Sequence, residues 1–261
     1  MVAIALLHGS VVGLSLGLTG GGGSIFAVPL LVYGLDLSFR QAVTLSLGTV
    51  GSTATLGAAL QRRGVYVLWL HGALIGCGGI MGVPIGTLLG SLLSQEHSLT
   101  LFGLLMLFIA TWMLFPHYGP RTPRWMKCAP QSSTTRLPTP CIIRLLVAGF
   151  LTGILSGLLG VGGGFLLIPA ILTVTHATIQ QAMATSLVAI AIISVTGFLQ
   201  NLSSLKSLSP LVPTLFLIGS AIGMFAGVSI KKRCSARLLQ IIFGLAIIVC
   251  GIFVLSRAVF S

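Results

Sequence analysis

The sequence predicts an all-α polytopic membrane protein built from two homologous repeats, and three observations carry that prediction. The first is composition: 55% of the 261 residues are hydrophobic and 6% are charged, with a mean hydropathy of +1.10, whereas soluble domains carry about 25% charged residues. The second is a set of uncharged runs longer than the roughly 20 apolar residues of one bilayer span. The third is an internal repeat. The uncharged runs cover 1–35, 64–95, 98–120 and 145–205.

The internal repeat relates the second half of the chain to the first by a shift of 140 residues without a gap. A glycine-rich chain aligns some glycines by chance, but not a proline and a Gln-Ala pair in the same register. We therefore predict two membrane repeats, 1–118 and 142–261, joined by a basic linker, 119–141, that is rich in Pro, Ser, Thr and Arg. The matched residues are Gly13, Gly17, Leu18, Gly20, Gly22, Gly23, Pro29, Gln41, Ala42, Ser46 and Leu47 with Gly153, Gly157, Leu158, Gly160, Gly162, Gly163, Pro169, Gln181, Ala182, Ser186 and Leu187.

Each repeat contains four hydropathy peaks, about eight in the whole chain. The first peak of each repeat is too long for one span and contains a glycine run followed by a proline, Pro29 or Pro169. Each glycine weakens a helix by about 1 kcal/mol relative to Ala, and proline removes a backbone donor. We expect a broken helix or a re-entrant hairpin at each site. The peaks cover 2–34, 41–60, 65–94, 98–115, 142–175, 180–202, 207–230 and 236–256.

The distribution of Lys and Arg favours the hairpin. If each first peak crossed the membrane once, the two sides would receive nine and five basic residues. If each peak returns to the side it entered from, one side receives eleven and the other keeps Arg40, Lys206 and Arg257. Cytoplasmic loops carry the excess of Lys and Arg. The sequence therefore predicts inverted repeats, a cytoplasmic linker and periplasmic termini, an arrangement that recurs among transporters.

The net charge of +12 does not indicate a nucleic-acid partner, because membrane proteins retain basic loops to fix their orientation. The two acidic residues, Asp36 and Glu96, lie at segment ends. A carboxylate inside a span would indicate a cation or proton pathway. Its absence from the sequence favours an anionic substrate.

The two glycine runs are the candidate substrate site. A helix that restarts after a break directs its first amides and the positive end of its dipole toward the break. Two such breaks would bind an anion without a buried Lys or Arg. The alternative is close helix packing, which we prefer for Gly9, Gly13, Gly86 and Gly90. The candidate residues are Gly20, Gly22, Gly23 and Ser24 in the first run, and Gly160, Gly162, Gly163 and Gly164 in the second.

Polar residues follow each glycine run and are candidate donors to a bound oxyanion. Alternatively, the glutamines cap a helix, and the hydroxyl groups bond to the carbonyl of the preceding turn. If transport is linked to protons, His8 and His71 are the candidate relay, although a membrane histidine also serves in helix–helix hydrogen bonds. No metal or nucleotide motif is present, and no cofactor is expected. The candidate donors are Gln41, Thr44, Ser46, Gln181, Thr185 and Ser186.

The pattern G-x-G-G-G-x-x-x-x-P is complete from Gly160 to Pro169, and the first repeat has Ser24 where the second has Gly164. With the duplication and the Gln-Ala pair after each run, the chain resembles the TauE/SafE family of membrane permeases, also called the sulfite exporter or TSUP family. The resemblance implies transport of sulfite, organosulfonates or related anions across the bacterial inner membrane.

We therefore expect a permease for small sulfur-containing anions that works by alternating access, and not an enzyme. The expected partners are the lipid bilayer and a small anion, and a homodimer is left open. Two alternatives stay open at this point: a membrane-embedded enzyme, and a transporter of another small solute such as thiosulfate or a metabolite anion.

Overall fold

The computed structural model describes residues 2–61, 67–114, 138–160, 162–175, 177–205, 208–231 and 236–260. These ranges contain ten α-helices, two 3-10 turns and no β-strand, which confirms the all-α class. The 3-10 turns are Gly22–Phe26 and Leu202–Leu205. The helices are α1 (Val2–Thr19), α2 (Ala27–Leu35), α3 (Phe39–Gln61), α4 (Trp69–Leu92), α5 (Gln95–Leu114), α6 (Thr139–Leu159), α7 (Gly164–Val174), α8 (Ile179–Asn201), α9 (Leu211–Lys231) and α10 (Ala236–Phe260).

The helices have the length and surface of a multi-pass membrane protein. Five segments are long and apolar enough to cross a bilayer: four lie within α3, α4, α6 and α9, and the fifth, Ile179–Leu205, contains α8 and the 3-10 turn after it. Large apolar side chains cover the outside, among them Met81 and Leu92, which are 72% and 78% exposed. Soluble monomers rarely expose contiguous apolar surface on this scale. The predicted polytopic membrane class is confirmed.

The first hydropathy peak of each half is broken at its glycines. The first peak forms α1 and α2, and the fifth forms α6 and α7. Gly20 and Gly160, which follow α1 and α6, have φ of +71°. This left-handed conformation ends a helix and is favourable only for glycine and a few polar residues. The amides of these two glycines still bond four residues back, to the carbonyls of Leu16 and Ser156, both at 2.8 Å.

Pro29 and Pro169, the predicted helix-break residues, lie inside helices rather than at the glycine breaks. Pro29 is the third residue of α2, and Pro169 is the sixth residue of α7. In the first turn of a helix the amides have no helical partner, so a proline at this point removes no bond. In α7 the helix continues for five residues after the proline. The glycines with positive φ, and not the prolines, end the helices.

After the first break the chain turns back on itself. Gly23 lies against the backbone of Ser15, and Gly34, near the end of α2, lies against the ring of His8. Residue numbers therefore fall along α1 as they rise along α2, so the two helices form an antiparallel hairpin. The second break turns similarly, with Gly163 against Thr152 and α7 packed on α6. Each hairpin returns toward the end of the bundle at which it began.

Two helix pairs pack most closely, α1 with α9 and α4 with α6. A Cβ atom built on Gly13 would lie 1.8 Å from the carbonyl oxygen of Ser220, and one built on Gly153 would lie 2.4 Å from that of Gly79. Only glycine fits this spacing. Contacts rise in register along both pairs, so each pair is parallel: Gly9 with Phe216, Gly17 with Met224, Gly149 with Ile75, and Gly157 with Val83.

The central helices α3 and α8 cross in antiparallel orientation, as do α5 and α10. Gly48 lies against Phe198 and Gly51 against Ser194, while Gly103 lies against Leu255. The hairpins and the parallel and antiparallel contacts together give the direction of every helix. The helices α1, α3, α5 and α9 begin at one end of the bundle, called here the terminus end. The starts of α4, α6, α8 and α10 lie at the opposite end, called here the linker end.

The helix bounds agree with the hydropathy peaks to within a few residues. The second half begins slightly earlier than predicted, because α6 starts at Thr139 rather than at 142. Most of the predicted linker, 119–141, lies outside the described residues. The division of the chain into two homologous repeats stays a prediction.

Candidate functional site

The tips of the two hairpins meet beside the midpoint of α8. Gly21 and Gly164 both lie against the side chain of Ile190 at that midpoint, and the carbonyl oxygen of Gly21 lies 2.5 Å from a Cβ atom built on Gly164. The 3-10 turn that leads into α2 begins at Gly22, and α7 begins at Gly164. Two helical N-terminal ends, each with a partial positive charge, therefore come together. We call this site the tip junction, made of Gly20–Ser24, Gly160 and Gly162–Gly164.

The tip junction requires glycine for both conformation and space. Gly21 has φ of +141°, and Gly162 and Gly163 each have φ of +66°. A Cβ atom on Gly162 would lie 2.9 Å from the hydroxyl oxygen of Ser194, and one on Gly163 would lie 3.1 Å from the carbonyl oxygen of Thr152. The glycines thus serve close packing and, at the same time, open the helical backbone.

Ser46 and Ser186 fasten the two tips to the opposite half of the chain. The Ser46 hydroxyl in α3 donates to the carbonyl of Gly160 at 2.8 Å, and the Ser186 hydroxyl in α8 donates to the carbonyl of Gly20 at 2.5 Å. Both serines are fully buried. A buried carbonyl needs a donor, and these serines supply it. In this structure the two candidate oxyanion donors therefore bind protein carbonyls.

The glutamines occupy the starts of the long central helices. Gln181 forms a capping box with Thr178 at the start of α8. Gln41 accepts from the amide and the hydroxyl of Ser38 at 3.1 and 3.0 Å. Both glutamines thus cap a helix, the alternative explanation that the sequence had offered.

The two threonines also have partners within the protein. The Thr44 hydroxyl donates to the carbonyl of Arg40 at 2.8 Å, in its own helix. The Thr185 hydroxyl accepts from the amide of Leu68 at 3.1 Å, just before the start of α4. Thr185 thereby joins α8 to the start of α4. Neither contact directs its hydroxyl group at the tip junction.

The structure does not bring the two candidate relay histidines together. His71 is fully buried near the start of α4, at the linker end, and neither ring nitrogen has a hydrogen-bond partner among the described residues. His8 lies near the start of α1, at the terminus end, against Gly34. A proton pathway through either histidine stays a prediction, and it would use them separately.

The two tips differ in their polar side chains. At the first tip the Thr19 hydroxyl accepts from the amide of Gly23 at 2.9 Å, and the Ser24 hydroxyl donates to the carbonyl of Gly21 at 2.8 Å. At the second tip, Gly162 lies against the hydroxyl group of Ser194 of α8, which is fully buried and has no partner among the described residues. Sequence reasoning missed Ser194, because a single serine within an apolar run carries no motif.

A cavity of about 640 Å³ lies between α3, α4 and α8. Leu60, Trp69 and Ile192 are among its mainly apolar lining residues, which also include Val188 and Ala191 of α8. With 100° between successive residues of a helix, these α8 positions face away from Ile190, which contacts both tips. The cavity therefore does not belong to the tip junction.

Comparisons with known proteins find related membrane proteins. The family model described as "Sulfite exporter TauE/SafE" matches residues 5–254. A probable membrane transporter protein of Xylella fastidiosa (strain 9a5c) is 30% identical over 258 residues, which cover 98% of this chain and 95% of that protein. The probable membrane transporter protein YunE of Bacillus subtilis is 23% identical over 273 residues, which cover 100% and 98% of the two chains.

A probable membrane transporter protein of Haemophilus influenzae is 27% identical over 203 residues, which cover 75% of this chain and 72% of that protein. No solved structure matches the chain. The family match extends from α1 to α10 and includes both glycine breaks. The chain belongs to the TauE/SafE sulfite exporter family of membrane proteins.

Proposed function

We propose that this multi-pass protein is a permease that moves small sulfur-containing anions, such as sulfite or sulfonates, across the bacterial inner membrane. Membership in the TauE/SafE family supports a membrane transporter rather than an enzyme. The observation that carries the choice of an anion is the meeting of two helical N-terminal ends at the tip junction. Such ends present amides and a partial positive charge to an anion.

The charged residues support the same choice. The tip junction contains no Asp, Glu, Lys or Arg. Asp36 follows α2 and Glu96 lies in the first turn of α5, so both carboxylates belong to the terminus end. A cation at the tip junction would find no carboxylate there, whereas an anion would find amide donors. This distribution favours a negatively charged substrate.

The inverted-repeat arrangement is also part of the proposal. A shift of about 140 residues relates α1 to α6 and α4 to α9. The close pair α1–α9 in this way corresponds to the close pair α6–α4. Such inverted repeats support alternating access, in which one unit moves against the other around a central site. We propose that such a motion lets substrate reach the tip junction from either end of the bundle.

The orientation follows from charge. The segments between helices at the linker end, 62–68, 115–138 and 232–235, carry most of the Lys and Arg of the chain. By the positive-inside rule this end is cytoplasmic, so α1 begins and α10 ends at the periplasmic side. The α1–α2 hairpin then enters the membrane from the periplasmic side and returns to it, and the α6–α7 hairpin does the same from the cytoplasmic side.

Counterflow in liposomes tests the proposed function. Vesicles that contain the purified protein are loaded with unlabelled sulfite, methanesulfonate or thiosulfate, and uptake of the radiolabelled anion is followed with and without pH and voltage gradients. We expect uptake of at least one of these anions that empty vesicles do not show. Failure to move any of them under every gradient contradicts the proposal, and chemical conversion of the anion inside the vesicles would instead indicate an enzyme.

Gly163→Val is expected to abolish transport while the amount of protein in the membrane stays close to that of the wild type. A β-branched residue at φ of +66° is strained by roughly 1–2 kcal/mol, so the first amides of α7 should shift. Transport is measured by counterflow and protein amount by immunoblot. Gly90→Val is the matched control, because its Cβ atom also faces a carbonyl, at 3.3 Å, but Gly90 has no positive φ. Equal loss of protein in both variants would favour a packing role alone.

A further inference from the structure

We infer that the anion is held at the second tip alone, between the first turn of α7 and the hydroxyl group of Ser194. This inference rests on the proposed function and deepens it, since it assigns the substrate to one of the two breaks and names a residue that recognises it. The ligand class is a small oxyanion, whose oxygens accept hydrogen bonds from amides and a hydroxyl group. The first tip is then a structural counterpart without bound substrate.

The first tip is closed by its own side chains. Thr19 accepts from the amide of Gly23, Ser15 donates to the carbonyl of Gly23 at 3.1 Å, and Ser24 donates to the carbonyl of Gly21. All three side chains are buried, at 5% exposure or less. An anion at this tip would have to displace hydrogen bonds that the protein already makes.

The second tip lacks this closure. A shift of 140 residues replaces Ser15, Thr19 and Ser24 with Leu155, Leu159 and Gly164. Gly163 precedes α7 without a side-chain cap. The amides of Leu166 and Leu167 bond to the carbonyl of Gly163, at 3.0 and 3.1 Å. The first two amides of α7, those of Gly164 and Phe165, precede these bonds and have no carbonyl of their own helix to bond, so an acceptor from outside the helix can bind them.

Ser194 supplies a second and independent indication of a ligand. Its side chain is fully buried at the crossing of α3 and α8, and its hydroxyl oxygen has no hydrogen-bond partner among the described residues. That oxygen lies 2.9 Å from the Cβ position of Gly162, so the missing side chain of Gly162 leaves it facing the second tip. A buried hydroxyl group without a partner is unfavourable, and an anion oxygen would satisfy it.

The first half provides no equivalent of Ser194. The residue 140 positions earlier is Ala54, which is fully buried and carries no polar atom in its side chain. Together with the closed first tip, this difference makes the proposed site single and asymmetric, although the backbone breaks are similar. One anion per chain is therefore expected.

Equilibrium binding of radiolabelled sulfite to the purified full chain tests the inference. Ser194→Ala should raise the Kd by about tenfold or more, the effect of losing one hydrogen bond to a charged group. Its thermal unfolding temperature should stay equal to that of the wild type or rise. Ser220→Ala is the matched control, because Ser220 is equally buried and unpartnered among the described residues but lies on α9 beside Gly13. Its Kd should not change.

An unchanged Kd in Ser194→Ala, measured on a wild type that transports sulfite, overturns the inference and leaves the proposed function intact. A wild type that neither binds nor moves any sulfur oxyanion contradicts the proposed function itself, and the inference with it. If Ser194→Ala does not reach the membrane, Ser194→Cys replaces it, because a thiol is a weak donor and the same loss of affinity is expected. A stoichiometry of two anions per chain would also contradict the single site.

Discussion

Ser46 and Ser186 show how single residues stabilise a broken helix inside a membrane. Each hydroxyl group reaches a glycine carbonyl that has lost its helical donor, 114 and 166 residues away along the chain. The serines thereby join the two halves of the chain at the tip junction. The sequence placed both serines beside the breaks but could not identify the carbonyls as partners, because this pairing depends on how the two hairpins dock.

Ser186→Ala is expected to destabilise the protein by about 1–3 kcal/mol, because the buried carbonyl of Gly20 loses its donor. The measurement is the thermal unfolding temperature of the purified protein in detergent. Ser52→Ala is the control, since the exposed Ser52 hydroxyl bonds only to the carbonyl of Gly48 in its own helix. Equal unfolding temperatures for the two variants would show that the contact between the halves contributes nothing.

The helices were largely predictable as elements, and their partners were not. Hydropathy located α3, α4, α5, α8, α9 and α10 to within a few residues, and glycine runs marked both breaks. Pro29 and Pro169 lie inside α2 and α7 rather than at the breaks, so the glycines alone end α1 and α6. Glycines spaced four apart predicted close packing, which Gly9, Gly13 and Gly86 confirm. They did not identify the partner, because any small-residue face fits another.

Two glycines on one face of α4 provide a test of the close contact between α4 and α6. A Cβ atom on Gly86 would lie 2.0 Å from the carbonyl oxygen of Ile154, whereas one on Gly90 would lie 3.3 Å from that of Leu158. Gly86→Ala must therefore separate α4 from α6, and we expect a loss of about 1–3 kcal/mol or more. Gly90→Ala should change the unfolding temperature little. Equal effects in both variants would contradict the close α4–α6 contact.

For the whole molecule, the direction of each helix determines which segments share a side of the membrane. Besides the α1–α2 and α6–α7 hairpins, each half has three helices that run from one end of the bundle to the other, so α1 begins at one end and α6 at the opposite end. The distribution of Lys and Arg had also favoured a hairpin over a single crossing, because the hairpin places eleven of these residues on one side. It could not reveal which helices touch, since charge reports only on the loops.

Reporter fusions test this path. A reporter enzyme that is active only in the periplasm is fused after Arg124, which lies outside the described residues, and in a second strain after the last residue. We expect activity from the C-terminal fusion and none from the fusion after Arg124, because in the proposed path the second half crosses the membrane three times, through α8, α9 and α10, from a cytoplasmic linker. Activity in both strains, or in neither, contradicts the hairpin path.

The parallel glycine contacts have a consequence for how the protein is made. The partner of α1 is α9 and the partner of α4 is α6, so the tightest contacts of the early helices are with helices that the ribosome synthesises later. Until α6 and α9 enter the bilayer, the glycine faces of α1 and α4 meet lipid, which cannot fill them as a neighbouring backbone does. The helices of the first half are therefore expected to stay incompletely packed during synthesis. Their assembly is completed only after α9 has been translated.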